Sequence, residues 1–296
     1  MRGKGFPTQG KHLVVHPTLL AATYLQLPGT TADDLISAPA TIDLGRRPIH
    51  NAGGGPCPGT TPDGRITLTQ AIAVSCNTAF VALARDLGWP KIRDTAEKFG
   101  FTVGPTDVTA PAWLAQARLG VDSRVPENSD EAGLGNNVLG GGSVAGTPLQ
   151  MATVMAAVAN SGTVRQPVLV TSITAPDGGE RHTITGESRP VLDTDQAAQL
   201  TLALAKTVQG GGTAAGLRTP DGRALWVKTG THELGEQARG EGTFVRQISW
   251  LTGFLDTANG RVAFAVAVET RDERAGADRT RMLARRTIES ITEVRH

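Results

Sequence analysis

Two short polar clusters stand far apart in this sequence. Ser75-Cys76-Asn77-Thr78-Ala79-Phe80 leads into an apolar helical run, and Lys228-Thr229-Gly230-Thr231 closes the extended run Ala224-Leu-Trp-Val. A serine hydroxyl next to a carboxamide can pass a proton and hold an amide oxygen. An ammonium at a strand end can bind a carboxylate and bias nearby protons, and Thr229 adds a hydroxyl donor. Gly230 has no side chain, so the backbone there can accept an extended ligand as an added strand. Together these groups could bind a carboxylate-bearing ligand and move a proton beside it. Each cluster alone has a plainer explanation. Ser-x-Asn at a helix start is commonly a cap, and Lys-Thr-Gly after a strand is commonly a turn.

Order and context favour the chemical reading. Ser-x-Asn followed much later by Lys-Thr-Gly-Thr resembles the second and third signatures of the serine penicillin-recognising enzymes. Gln70 to Phe80, Lys98-Phe99-Gly100-Phe101 and Thr147-Pro148-Leu149-Gln150-Met151-Ala152 extend that resemblance, in order and spacing, to the transpeptidase domain of penicillin-binding proteins, the actinobacterial members above all. The resemblance covers roughly residues 18 to 290. It implies an α/β (α+β) fold of the β-lactamase/transpeptidase type, with an antiparallel central sheet flanked by helices on both faces. It implies D,D-transpeptidase chemistry on peptidoglycan stem peptides, with β-lactams as mimics. It also implies an extracytoplasmic, membrane-associated setting among cell-wall synthesis proteins. By resemblance Ser75 relays protons, Asn77 serves the substrate amide and the catalytic lysine, and Lys228 with Thr229 and Gly230 receives the substrate. The N–H of Thr231 contributes to the oxyanion hole. No cofactor is called for. His232 and the other histidines fall in no metal spacing and read as surface or cap residues.

The family's nucleophile motif, Ser-x-x-Lys, is not recognisable. None of the serines has a lysine three residues later. Alignment on the Leu19 to Leu27 helix puts Val15-His16-Pro17-Thr18 where the motif belongs. Thr8-Gln9-Gly10-Lys11 offers a hydroxyl and an amine at the right spacing, and threonine can serve as a nucleophile. Its Gly10 and polar context suit a buried helix poorly. Thr95 and Lys98 share the spacing but follow Ser-x-Asn, so they read as coincidence. The missing motif keeps two alternatives open: a catalytically inactive pocket that binds stem peptide or a protein partner, and a β-lactamase. For the second of these no deacylating base is recognisable.

Holding two distant clusters together requires a packed scaffold. The chain has 296 residues, 39% of them apolar and 19% charged, enough to build a core. A net charge of +1 and an aromatic content of 4% disfavour nucleic acid as a partner. No apolar run reaches the roughly 18 residues of a membrane span, and no signal segment is recognisable. Cys57 and Cys76 could form one disulfide, but the ordinary expectation for such a pair is two partly buried thiols.

Caps and breakers predict helices over Pro17–Leu27, Thr67–Val74, Thr78–Leu87 and about 90–98. Further helices are expected after Thr147-Pro148 and over Thr194–Thr207. Residues 101–146 read as loops and Val164–Ile173 as a strand. Short extended pieces fall within 38–50. The last third predicts three strands, about 224–230, 247–255 and 261–269, in an antiparallel meander, then a helix over 278–294. One domain over 1–296 is expected, mainly helical over about 17–160 and 194–208. With three full strands, the Val262 to Val268 edge would expose apolar residues, which pairing with a second chain would relieve.

Overall fold

A computed structural model describes residues 17–44, 48–103, 123–168, 171–179, 181–183, 185–239, 242–270 and 273–293. Its frame is the expected meander. Strands Leu225–Arg239, Gly242–Thr257 and Gly260–Thr270 pair antiparallel in chain order. The register sets Lys228 opposite Thr252, and Thr252 opposite Ala265. Side chains alternate between faces. Trp226 and Phe254 therefore share one face and stack with ring centroids 4.9 Å apart, with the Arg261 guanidinium 5.0 Å from the Trp226 ring. At Gly253 a Cβ would meet the Trp226 carbonyl at 2.2 Å, so only glycine fits at that crossing.

Helices cover both faces, as the resemblance implies. The C-terminal helix Glu273–Glu293 buries Ala284 and Ile288 against Leu225, Val227, Leu251, Leu255 and Phe264. On the opposite face, Pro148–Ala159 packs on the middle and last strands and joins the larger core. Thr147 caps that helix by accepting from the Gln150 N–H at 3.1 Å. Buried Gln150 then donates to the Phe99 carbonyl at 2.7 Å, which ties this helix to the end of Trp89–Lys98. Thr194–Ala205 begins in a capping box between Asp193 and Gln196 and ends in a 3₁₀ turn at Lys206–Val208.

Three expectations need correction. The first concerns 101–146, which read as loops but contain a helix, Glu131–Val138, started by Asp130 accepting from the Gly133 N–H. Two glycines weaken its propensity. Packing sustains it instead: a Cβ at Gly135 would fall 2.4 Å from Leu44 Cδ1. The second is the single strand over Val164–Ile173. Thr163–Arg165 pairs with Ser188–Pro190, while Ser172–Thr174 pairs with Arg181–Thr183. Pro167 between them has no N–H to offer a ladder. The third is the thiols: Cys57 and Cys76 are joined in a disulfide with Cα atoms 5.8 Å apart. The chain folds the Gly/Pro loop back onto the helix junction, a proximity that a separation of 19 residues does not reveal.

Boundaries shift elsewhere. The first helix ends at Leu25, and the last begins at Glu273. The short pieces within 38–50 form a two-stranded ribbon, Thr41–Ile42 with Ile49–His50.

Candidate active site

The two clusters meet. Thr67 caps the helix Leu68–Val74, which stops when Ser75 enters the left-handed region at φ 56°. That reversal starts the next helix, Asn77–Leu87, at an angle that leaves the Ser75 hydroxyl at the junction. The Ser75 backbone is thus a link between two helices rather than the simple helix start that the triplet suggested. Three contacts hold the junction. The Asn51 side-chain oxygen accepts from the Thr78 N–H at 3.0 Å and from the Thr78 hydroxyl at 3.1 Å. The disulfide pins Cys76 from the other side. Asn77 Nδ2 donates to the His50 carbonyl of the ribbon at 3.1 Å.

Lys228 comes to this junction from 153 residues away. Its Nζ donates to Ser75 Oγ at 2.8 Å and to the Thr229 carbonyl at 2.7 Å. The side chain is 0% exposed, and burial pushes its pKa down from 10.5 to about 7, because an ammonium stripped of water is costly. At neutral pH a substantial share is a free amine that can accept a proton. Two of the three Nζ donors are thus engaged inside the protein, by Ser75 and a neighbouring carbonyl.

The neighbouring residues sit at the strand's outer side. Leu225–Arg239 is a sheet edge among the described residues, so its backbone at Gly230 has no strand beside it. Thr229 and Thr213 share a hydrogen bond of 2.6 Å between their hydroxyls. Thr213 belongs to the Gly-rich loop after Val208, and its N–H binds the Ala73 carbonyl at 3.0 Å. Thr207 braces the same strand from within, donating to the Val227 carbonyl at 2.7 Å. Thr231 is exposed in the middle of this strand, which runs on to Arg239, past the end expected at 230. His232, read as a surface or cap residue, is half-buried against the loop 139–143: a Cβ at Gly141 would fall 2.5 Å from its Cε1.

Sequence reasoning missed Asn51, Thr213 and the Gly141 contact. No local pattern marks them, since each acts through a partner distant in the chain. Thr8 and Lys11 lie outside the described residues. Thr95 and Lys98 are structural, with Gln26 donating to the Thr95 hydroxyl at 3.2 Å and accepting from Lys98 at 3.3 Å. Among the described residues no group of His, Cys, Asp or Glu is placed to hold a metal, and no helix is long and apolar enough to cross a membrane.

Comparison with known proteins identifies the family. The family model described as "Penicillin binding protein transpeptidase domain" matches residues 50–289. The peptidoglycan D,D-transpeptidase PbpA of Mycolicibacterium smegmatis is 34% identical over 265 residues, covering 88% of this chain and 50% of that protein. The chain therefore spans about half the length of that relative. The crystal structure of PBPA from Mycobacterium tuberculosis superposes with a TM-score of 0.69 at 29% identity, over 94% of this chain and 61% of that one. The imipenem acyl-enzyme complex of the same penicillin-binding protein A gives a TM-score of 0.69 at 27% identity, over 94% and 60%. A helix junction carrying Ser-x-Asn, a buried lysine from Lys-Thr-Gly reaching it, and a family match over most of the chain lead to one conclusion: this chain belongs to the penicillin-binding protein transpeptidase domain family.

Proposed function

We propose that this chain carries the stem-peptide site of a peptidoglycan D,D-transpeptidase, working outside the cytoplasmic membrane in cell-wall cross-linking. The observation that carries the reading is the hydrogen bond from Lys228 Nζ to Ser75 Oγ. In this reading the stem peptide lies along the open edge of Leu225–Arg239 as an added strand. Lys228 and Ser75 form a proton relay: the amine form of Lys228 takes the attacking nucleophile's proton through the Ser75 hydroxyl, and the ammonium returns it by the same route to the leaving nitrogen. The Thr231 N–H stabilises the oxyanion, and Asn77 stands beside the substrate amide. β-Lactams enter as mimics of the same peptide.

The absence of Ser-x-x-Lys from the sequence favours a second reading of the same site, a pocket that binds stem peptide without acylation. A fluorescent penicillin with intact-mass measurement, run beside a melting assay with stem peptide, separates the two. A stoichiometric acyl adduct establishes the catalytic reading and, by peptide mapping, its nucleophile. Stabilisation by stem peptide without an adduct establishes the binding reading. No adduct and no stabilisation refute both. Hydrolysis of nitrocefin would instead establish a β-lactamase. The opposite sheet edge, Gly260–Thr270, is the place where a second chain would pair, and light scattering tests for that dimer.

A further inference from the structure

One short segment grips three consecutive residues of the helix junction. Cys57 is bonded to Cys76. The His50 carbonyl accepts from Asn77 Nδ2 at 3.1 Å. Asn51 Oδ1 accepts from Thr78 twice, from its N–H at 3.0 Å and its hydroxyl at 3.1 Å. Asn51 is 7% exposed, and both lone pairs of its side-chain oxygen are engaged. Its Nδ2 donates to the Gly55 carbonyl at 3.0 Å, and its own carbonyl accepts from the Gly54 N–H at 2.9 Å, which turns the chain back toward Cys57. The helix Asn77–Leu87 depends on this. The first N–H groups of a helix have no partner within it and are ordinarily met by the side chain of the capping residue. Here that residue is Cys76, whose sulfur is in the disulfide and which makes no such bond. Asn51, 27 residues away, supplies the cap from outside the helix.

We propose that Asn51 is a positioning residue for amide recognition: by capping Asn77–Leu87 from outside and fixing the His50 carbonyl, it aims the Asn77 carboxamide at the amide of the ligand. The inference rests on the stem-peptide reading above. Asn77 is part-exposed at the first position of its helix. It spends one of the two Nδ2 protons on His50, which leaves the second proton and the side-chain oxygen for a ligand. The His50 carbonyl belongs to the planar peptide bond that joins it to Asn51, so a shift of Asn51 moves the acceptor that holds Asn77. The two bonds to Thr78 also fix the residue next to Asn77 on its other side. Asn77 is therefore held from both flanks through Asn51, and its rotamer is set before any ligand arrives. Preorganisation of this kind favours a ligand that presents an amide oxygen at the place where the Asn77 N–H points.

The test is titration of the full chain, followed by NMR, with an acylated D-alanyl-D-alanine peptide and with the analogue in which an alkene replaces the amide on the N-terminal side of the first D-alanine. The wild type should prefer the amide by about threefold to tenfold, the usual effect of one neutral hydrogen bond. Asn51→Ala should bring that ratio close to one, as Asn77→Ala does, and the double variant should lose no more than Asn77→Ala alone, because the two residues act as one unit. Asn51→Asp, which still accepts from Thr78, should retain most of the preference. If melting shows that Asn51→Ala does not fold, Thr78→Val takes its place: it keeps the size, removes one of the two donors to Asn51, and should at least halve the preference. An Asn51→Ala or Thr78→Val chain that keeps the wild-type ratio, including one that binds both ligands more weakly by the same factor, overturns the proposal and leaves Asn51 a purely structural cap. Loss of the preference in Asn51→Asp as complete as in Asn51→Ala overturns it too, as does a wild type that binds amide and alkene equally; the stem-peptide reading survives each of these. Failure of the wild type to bind either ligand overturns both.

Discussion

Replacing Lys228 by Met tests the central geometry without any ligand. The substitution keeps an unbranched apolar stem and removes the ammonium. In the folded chain that ammonium titrates at about 7, against 10.5 ordinarily, a difference of about 3.5. At about 1.36 kcal/mol per unit, the charged form costs the fold about 5 kcal/mol relative to the neutral form. The folded pKa lies below the unfolded one, so between about pH 7 and 10.5 the unfolded chain holds more protons. Wild-type stability therefore rises with pH across that window from this group, levels off above it, and is lowest below pH 7. Between pH 7 and pH 9 the gain is about 2 kcal/mol, and Lys228→Met should lack it. Losing the bonds to Ser75 Oγ and the Thr229 carbonyl displaces the variant's whole curve by roughly 1–3 kcal/mol, so the slope is the measurement rather than the level. Urea unfolding of both proteins at pH 7, 8 and 9 gives the difference directly. If the gap between the two proteins does not change with pH, Lys228 is solvated in solution and the buried Lys228–Ser75 contact is wrong.

Two further perturbations check the supports of the site. Gly253→Ala places a methyl 2.2 Å from the Trp226 carbonyl in mid-sheet and should cost at least about 2 kcal/mol in urea unfolding, whereas Gly210→Ala, in open space, should stay within about 0.5 kcal/mol. Equal midpoints for the two variants would mean that the strand crossing is looser than described. Removing the disulfide with the Cys57→Ala, Cys76→Ala pair should cost about 3 kcal/mol, the loop entropy of a closure of this length. Dithiothreitol should lower the wild-type melting temperature and leave that double variant unmoved; a wild type indifferent to reductant would refute the bridge.

Much of the scaffold was legible because local chemistry specifies it. Thr67, Thr147 and Asp193 each precede an apolar helical run and carry a side chain of capping type, and all three accept a backbone N–H. The three β-rich runs near the end were legible as a meander, but their lengths were not: the stretch left between 230 and 247 is strand up to Arg239 and again from Gly242. The helix Glu131–Val138 stayed hidden because its stability comes from Gly135 nestling against Leu44, a contact with no trace in the local pattern.

The sequence by itself supplied the chemical groups, Ser75, Asn77 and Lys228 to Thr231, and the order that made them readable as one family's signatures. Local propensity and side-chain chemistry are written residue by residue, so they survive reading along the chain. Only the tertiary structure decided what each group faces. Folding placed Lys228 in a dry interior against Ser75, bonded Cys57 to Cys76, and brought Thr213 beside Thr229. Burial and proximity are properties of the packed whole, and they set the charge state, the partners and hence the work of every one of these side chains.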